Sequence, residues 1–176
     1  MENKILIAGF GGQGVLFLGK LLACSGLIGK KEVSWLPSYG PEMRGGTANC
    51  SVILSDNQVG SPIVSKPHIL VAMNLPSLEK FENEVEKNGC IIYDDSLISK
   101  KIDNENAYGI PATRLANERG YHGLANMILL GYVLQKTNLF SLDLIKEGMK
   151  QVVPARKSFL LDKNIEAIEI GMKYNK

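Results

Sequence analysis

The chain has 176 residues, 45% apolar and 22% charged, with 20 Lys and Arg against 18 Asp and Glu for a net charge of +2. That length suits one compact domain and is short for two. The near-balance of charge argues against nucleic acid or an anionic membrane surface as a partner, and the apolar content excludes global disorder.

A single domain over residues 1–176 is therefore expected. Cys24, Cys50 and Cys90 stand apart inside apolar stretches, with no CxxC and no Cys/His cluster. They read as small hydrophobes of a reduced, cytoplasmic protein rather than as ligands of zinc or an iron–sulfur cluster. The apolar run after Met1–Lys4 is too short for a secretory signal, and the greasy segment Val15 to Ile28 is interrupted by Lys20, short of a membrane span.

In chain order, Lys4 to Ala8 reads as a buried parallel strand running into glycines. A helix follows over Gly14 to Ile28, with Val15, Leu18, Leu22 and Ser25 on one face and Leu16, Phe17, Leu21 and Ile28 on a second, so it must be covered from two sides. Gly29 is expected to stop it. Val33 to Leu36 is a second strand, Pro37 to Gly46 a loop, and Thr47 to Leu54 a third strand. No helix fits between the second and third strands, so at least one antiparallel pairing is expected there.

Ile69 to Met73 is a fourth strand, and Pro76 to Lys87 a helix with Phe81 and Val85 inward and the acidic run Glu79 to Glu86 outward. Cys90 to Tyr93 and Ala107 to Ile110 are strands. Pro111 starts a helix in its first turn, closed at Gly120. Leu124 to Gln135 is a strongly apolar helix, either central to the domain or in need of cover by another subunit. Ser141 caps a further helix, and a last one runs from about Phe159 to Tyr174 with Leu160, Ile165, Ile168 and Met172 inward. The pattern implies an α/β fold: a three-layer, Rossmann-like, mostly parallel sheet with at least one antiparallel strand and a helical C-terminal part.

Two segments carry chemistry. Gly9-Phe10-Gly11-Gly12-Gln13-Gly14 fits G-x-G-x-x-G between a strand and a helix. It serves tight helix–sheet packing, contact with a phosphate or other anion, or a dinucleotide. The last wants a carboxylate at the end of the second strand, and none stands there before Glu42. The second segment is Ser38-Tyr39-Gly40-Pro41-Glu42-Met43-Arg44-Gly45-Gly46, expected at the mouth of the sheet. Arg44 there suits a phosphate or carboxylate, or pairs with Glu42. His68, His122, Asp94-Asp95 and Asn74 read as local turn or solvent residues, and no catalytic residue or metal ligand can be argued.

Together, Gly11-Gly12-Gln13-Gly14-Val15 with Gly19-Lys20, the run Ser38 to Ala48, the stretch LVAMNLPSLEKF, Ala125-Asn126-Met127 and Glu166 to Gly171 resemble the gamma subunit of 2-oxoacid:ferredoxin oxidoreductases over essentially the whole chain. The resemblance implies a subunit inactive alone, within a complex that oxidatively decarboxylates a 2-oxoacid to acyl-coenzyme A and reduces ferredoxin. It implies thiamine diphosphate and iron–sulfur clusters on partner chains: thiamine-binding alpha and beta subunits and a ferredoxin-like delta subunit. It places Gly11, Gly12, Gln13, Gly14, Tyr39, Gly40, Glu42, Met43, Arg44, Gly45 and Gly46 at the coenzyme A side of the reaction or against the catalytic chains. The alternatives are a stand-alone Rossmann-type nucleotide-binding oxidoreductase and a purely structural interaction subunit. The 2-oxoacid itself is not legible in the chain.

Overall fold

The computed structural model describes residues 1–39 and 47–175. Its elements are β1 (Glu2–Phe10), α1 (Val15–Ile28), β2 (Glu32–Tyr39), β3 (Thr47–Ser55), β4 (Ile69–Ala72), α2 (Leu75–Phe81), β5 (Cys90–Asp94), β6 (Ala107–Ile110), α3 (Ala112–Glu118), α4 (Ala125–Thr137), α5 (Leu142–Val152) and α6 (Leu161–Met172). The sheet order is β2-β3-β1-β4-β5-β6. Only β3 runs against the rest, antiparallel to both β1 and β2, while β1, β4, β5 and β6 pair in parallel. This is the mostly parallel sheet with a reversed strand that the short connection demanded.

Alternation along the strands divides the interior. Ile5, Ile7, Ile69, Val71 and Ile92 face a large core with α1, α4, α5 and α6, whereas Leu6, Leu70, Ala72 and Ile91 face a small one with Leu78 and Ile98. The three layers are thus lopsided. In α4 every residue from Asn126 to Leu134 is buried, which makes this the domain's own central helix and not a face awaiting a subunit. It approaches α6 closely: a Cβ on Gly131 would strike the carbonyl of Ile168, and one on Gly171 that of Ile128.

Several expectations need correction. Gly29 caps the end of α1 as expected, but with φ −74, and the left-handed residue is the next one, Lys30 (φ 59). β2 continues through Pro37, which an edge strand tolerates because its outward N–H is unpaired anyway. The helix expected over Pro76 to Lys87 ends at Phe81, followed by a 3-10 turn over Glu82–Glu84 and an extended Val85. Carboxylates at a helix carbonyl end oppose the dipole, and the extended Val85 still reaches the small core while Glu86 donates to Pro67 O at 2.9 Å. Pro111 is the N-cap of α3 and not a first-turn residue. The last helix begins at Leu161 after a 3-10 stretch over Ala155–Leu160, and its buried face is Asn164, Ala167, Ile168 and Gly171, leaving Leu160, Ile165 and Met172 half-buried. Ser141 caps α5 as expected, accepting from Leu144 N. Among the described residues no helix is long and apolar enough to cross a membrane.

Candidate functional site

The carboxyl ends of β1, β2, β4 and β5 meet at one rim. After β1 the chain turns through Gly11 to Gly14 into α1; after β4 it turns through Met73 and Asn74 into α2. These connections leave toward opposite faces, into the large and the small core, so a crevice opens between the ends of β1 and β4, where open α/β sheets bind ligands.

The turn is built from glycines for conformational reasons. Gly12 (φ 99) and Gly14 (φ 81) sit in the left-handed region, which costs other residues roughly 1–2 kcal/mol. Gly14 also lies against Asn126, whose amide occupies the space a Cβ would need. Gln13 braces the turn from inside: its Oε1 accepts from Phe10 N–H (2.7 Å) and Asn74 Nδ2 (2.9 Å), and its Nε2 donates to Met73 O (3.1 Å). Both ends of its amide are thus engaged within the chain. Asn74 completes the brace by capping α2, accepting Ser77 N–H at 2.9 Å.

α1 has no side-chain cap, in contrast to α2 and α5. Among the described residues the N–H groups of Gly11, Gly12, Gly14, Val15, Leu16 and Phe17 have no acceptor. Bare helix-start amides at the positive end of a helix dipole are suited to receive an anion, although α3, α4 and α6 lack a side-chain cap too.

Tyr39 and Thr47, which flank the second segment, belong to the same rim. Phe10 pairs with Thr47 and Tyr39 with Ala48, so the chain leaves and rejoins the sheet beside the glycine turn. Gly40, Glu42, Met43, Arg44, Gly45 and Gly46 lie outside the described residues. The strand beside β1 on this side is the reversed β3, whose rim residues Thr47, Ala48 and Asn49 include no carboxylate to hold a ribose.

Two cavities flank the turn. One, about 270 Å³, lies between Phe10, the glycines, Phe17 and Thr47-Ala48. The other, about 190 Å³, opens toward α3 and α4 and is lined by Gly12, Gln13, Met73, Asp94, Ala116, Asn126 and Leu129 among others. Asp94, 1% exposed, is fully engaged by Ser96 N–H (3.0 Å) and by the N–H (3.0 Å) and hydroxyl (2.5 Å) of Thr113. Reading the sequence assigned no role to Asn126, Thr113 or Met73. The signals available were the stretch Ala125-Asn126-Met127 among the residues that carry the resemblance, and an Asn at the second position of a mostly apolar helix.

The remaining candidates are structural. His68 Nδ1 accepts Lys4 N–H at 3.1 Å, and His122 contacts Asn117 on the surface. The three cysteines are free thiols; burial pushes Cys50 up to about 12 and Cys90 up to about 11, which keeps both protonated and unreactive.

A doubly wound sheet with a glycine turn at its switch point defines a class of ligand-binding α/β proteins and no more. Residues 4–174 match the family described as Pyruvate ferredoxin/flavodoxin oxidoreductase, and the chain belongs to that family. It is 39% identical to Ketoisovalerate oxidoreductase subunit VorA of Methanothermobacter thermautotrophicus over 98% of this chain and 36% of that protein. It is 32% identical to 2-oxoglutarate synthase subunit KorC of Methanocaldococcus jannaschii over 100% of this chain and 95% of the relative. It spans about a third of VorA's length, then, and nearly all of KorC's. A solved 2-oxoglutarate:ferredoxin oxidoreductase from Magnetococcus marinus, with 2-oxoglutarate, coenzyme A and succinyl-CoA bound, shares the fold at a TM-score of 0.84 and 21% identity, over 99% of this chain and 32% of that one.

Proposed function

We propose that the chain is the gamma-type subunit of a multi-subunit 2-oxoacid:ferredoxin oxidoreductase, acting at the coenzyme A side of the reaction and inactive alone. The thiamine diphosphate and iron–sulfur clusters belong to alpha, beta and ferredoxin-like delta chains, with ferredoxin as the electron acceptor. The observation that carries the reading is the row of amides at the start of α1 that have no acceptor among the described residues, at a sheet rim where a second glycine-rich loop leaves and rejoins. In this role the amides of Gly11, Gly12 and Gly14 and the guanidinium of Arg44 hold phosphate charge. Gln13 keeps the turn in shape, and Tyr39, Gly40, Glu42, Met43, Gly45 and Gly46 form the rest of the contact surface. Relatives named for ketoisovalerate and for 2-oxoglutarate match the same stretch. That supports a task common to both reactions, the thioester-forming end, over recognition of the acid's side chain.

A second reading, an interaction subunit whose loops meet protein only, draws on the edge strand β2, where Trp35 (37%) and Leu36 (40%) stay exposed. Arg44→Ala in the assembled complex separates the two. A rise of tenfold or more in the apparent KM for coenzyme A, with assembly intact, supports the first. Failed assembly, or an unchanged KM, supports the second.

A further inference from the structure

The two outer edges of the sheet are guarded unequally. At β6 the edge is 4 residues long, and Asn104 O already takes the Ala107 N–H. At β2 it is 8 residues long, and no charged side chain follows Glu32 before Tyr39. A long, uncharged edge is a template for another strand.

The backbone hydrogen bonds fix which groups that edge presents. Lys4 O and Ala8 O accept from His68 N–H and Met73 N–H on the β4 side, so Ile5 and Ile7 bond toward β3, to Val52 and Cys50. Ser51 and Ile53 of β3 then bond toward β2, to Leu36 and Ser34. Val33, Trp35, Pro37 and Tyr39 are left facing outward, and Pro37, which has no N–H, falls where none is needed. Their side chains stand on the α1 face: Trp35 lies against Gly19, and Val33 against Gly26. Leu16, Ala23 and Leu27 line the adjoining flank of α1, with Leu27 63% exposed.

We propose that this edge binds a second copy of the chain, β2 against β2 in antiparallel, about a twofold axis at Trp35. In that register Trp35 exchanges both backbone bonds with its mate, and each Val33 N–H meets a Pro37 carbonyl. The donor that Pro37 lacks is therefore missed only toward the ends of the ladder. Glu32 comes opposite Ser38, so no like charges meet across the seam. The two indoles sit at the centre, where an interface concentrates its binding energy, between the apolar flanks of the paired α1 helices. The assignment concerns a different edge from the coenzyme A reading and does not depend on it.

The test is sedimentation equilibrium of the full chain over a dilution series, with its fluorescence recorded in parallel. Trp35 is the only tryptophan, so its emission reports this seam directly. A dimer is expected, with emission moving to longer wavelength as dilution dissociates it. Trp35→Lys should weaken the dimer about thirtyfold or more, as loss of a central anchor does. Oxidised Trp35→Cys should form a covalent dimer above the wild-type background, because strand residues that exchange both bonds have Cα atoms about 5.5 Å apart. Leu36→Cys should not, since its two copies stand out of register, beyond about 7 Å. A wild-type chain monomeric at every concentration overturns the proposal, as does a dimer whose dissociation leaves the emission unmoved. Equal cross-linking of the two cysteine variants overturns the register and the twofold with it. If neither Trp35 variant folds, the wild-type sedimentation and emission decide.

Discussion

The two ends of the sheet are finished in opposite ways. Where β1 begins and β3 stops, side chains close the backbone: Asp56 takes Lys31 and the Met1 ammonium, His68 accepts from Lys4 N–H, and Ser55 Oγ accepts from Asn57 N–H. At the other end Gln13 braces the glycine turn from within, yet the helix-start amides and Asn126 Oδ1 have no partner among the described residues. Buried or structured polar groups are normally satisfied, and exceptions call for a reason. Among the described residues Ser25 Oγ and Gln135 Oε1 lack partners as well, but the run of helix-start amides falls at the edge where the topology opens a crevice, which is where the proposed ligand would complete it.

That contrast can be broken most forcefully at Gly14. An alanine there combines left-handed strain with a Cβ driven into Asn126, and should cost about 3 kcal/mol in urea denaturation. In an Asn126→Ala background the loss should fall by about half, to the backbone part alone; an unchanged loss would mean that the Asn126 approach does not shape the rim. Next is Gln13→Leu. It strands Phe10 N–H and Met73 O and should cost about 2 kcal/mol, with faster hydrogen exchange at Phe10. Gly12→Ala sharpens the comparison differently. A Cβ there meets nothing within 4 Å, so only the backbone objects, by about 1 kcal/mol. Yet that Cβ sits among the exposed amides, and affinity for coenzyme A should drop more than stability suggests, by tenfold or more. Equal small losses in both would close the rim as a ligand site.

The six strands were legible because each is a continuous or alternating apolar run, and the reversed β3 followed from a connection too short for a crossover helix. The end of α2 was not legible. Phe81 and Val85 keep the same inward pattern whether the chain stays helical or relaxes into a 3-10 turn and an extended residue, and the deciding carboxylates looked like an exposed helix face. Nor could the sequence show that Gly131 and Gly171 exist to bring α4 and α6 into backbone contact, since each matters only through a residue on the other helix. At the site the glycines announced themselves, but nothing in the sequence showed that the Gln13 amide is turned inward as a brace. Asn126 lies 112 residues from Gly14, and no local pattern reports a contact of that separation.

The smallest effect belongs to the closed end and depends on pH. Hydrogen bonding to Lys31, then to the Met1 ammonium, holds the Asp56 carboxyl down at about 2, against about 3.9 for an unfolded Asp. A lowered folded pKa means the unfolded chain binds the proton first. Stability from this cluster is therefore complete above about pH 4 and is lost as the pH falls through about 2. Because the pair is fully solvated, the contribution is small, and Asp56→Asn should lower Tm only slightly at pH 7. That gap should vanish near pH 2 and shrink in high salt, whereas the Gly12→Ala penalty, being conformational, should ignore salt. A gap that survives acid would show that this end is held by its turn rather than by charge, and the two ends would then differ in ligand readiness alone.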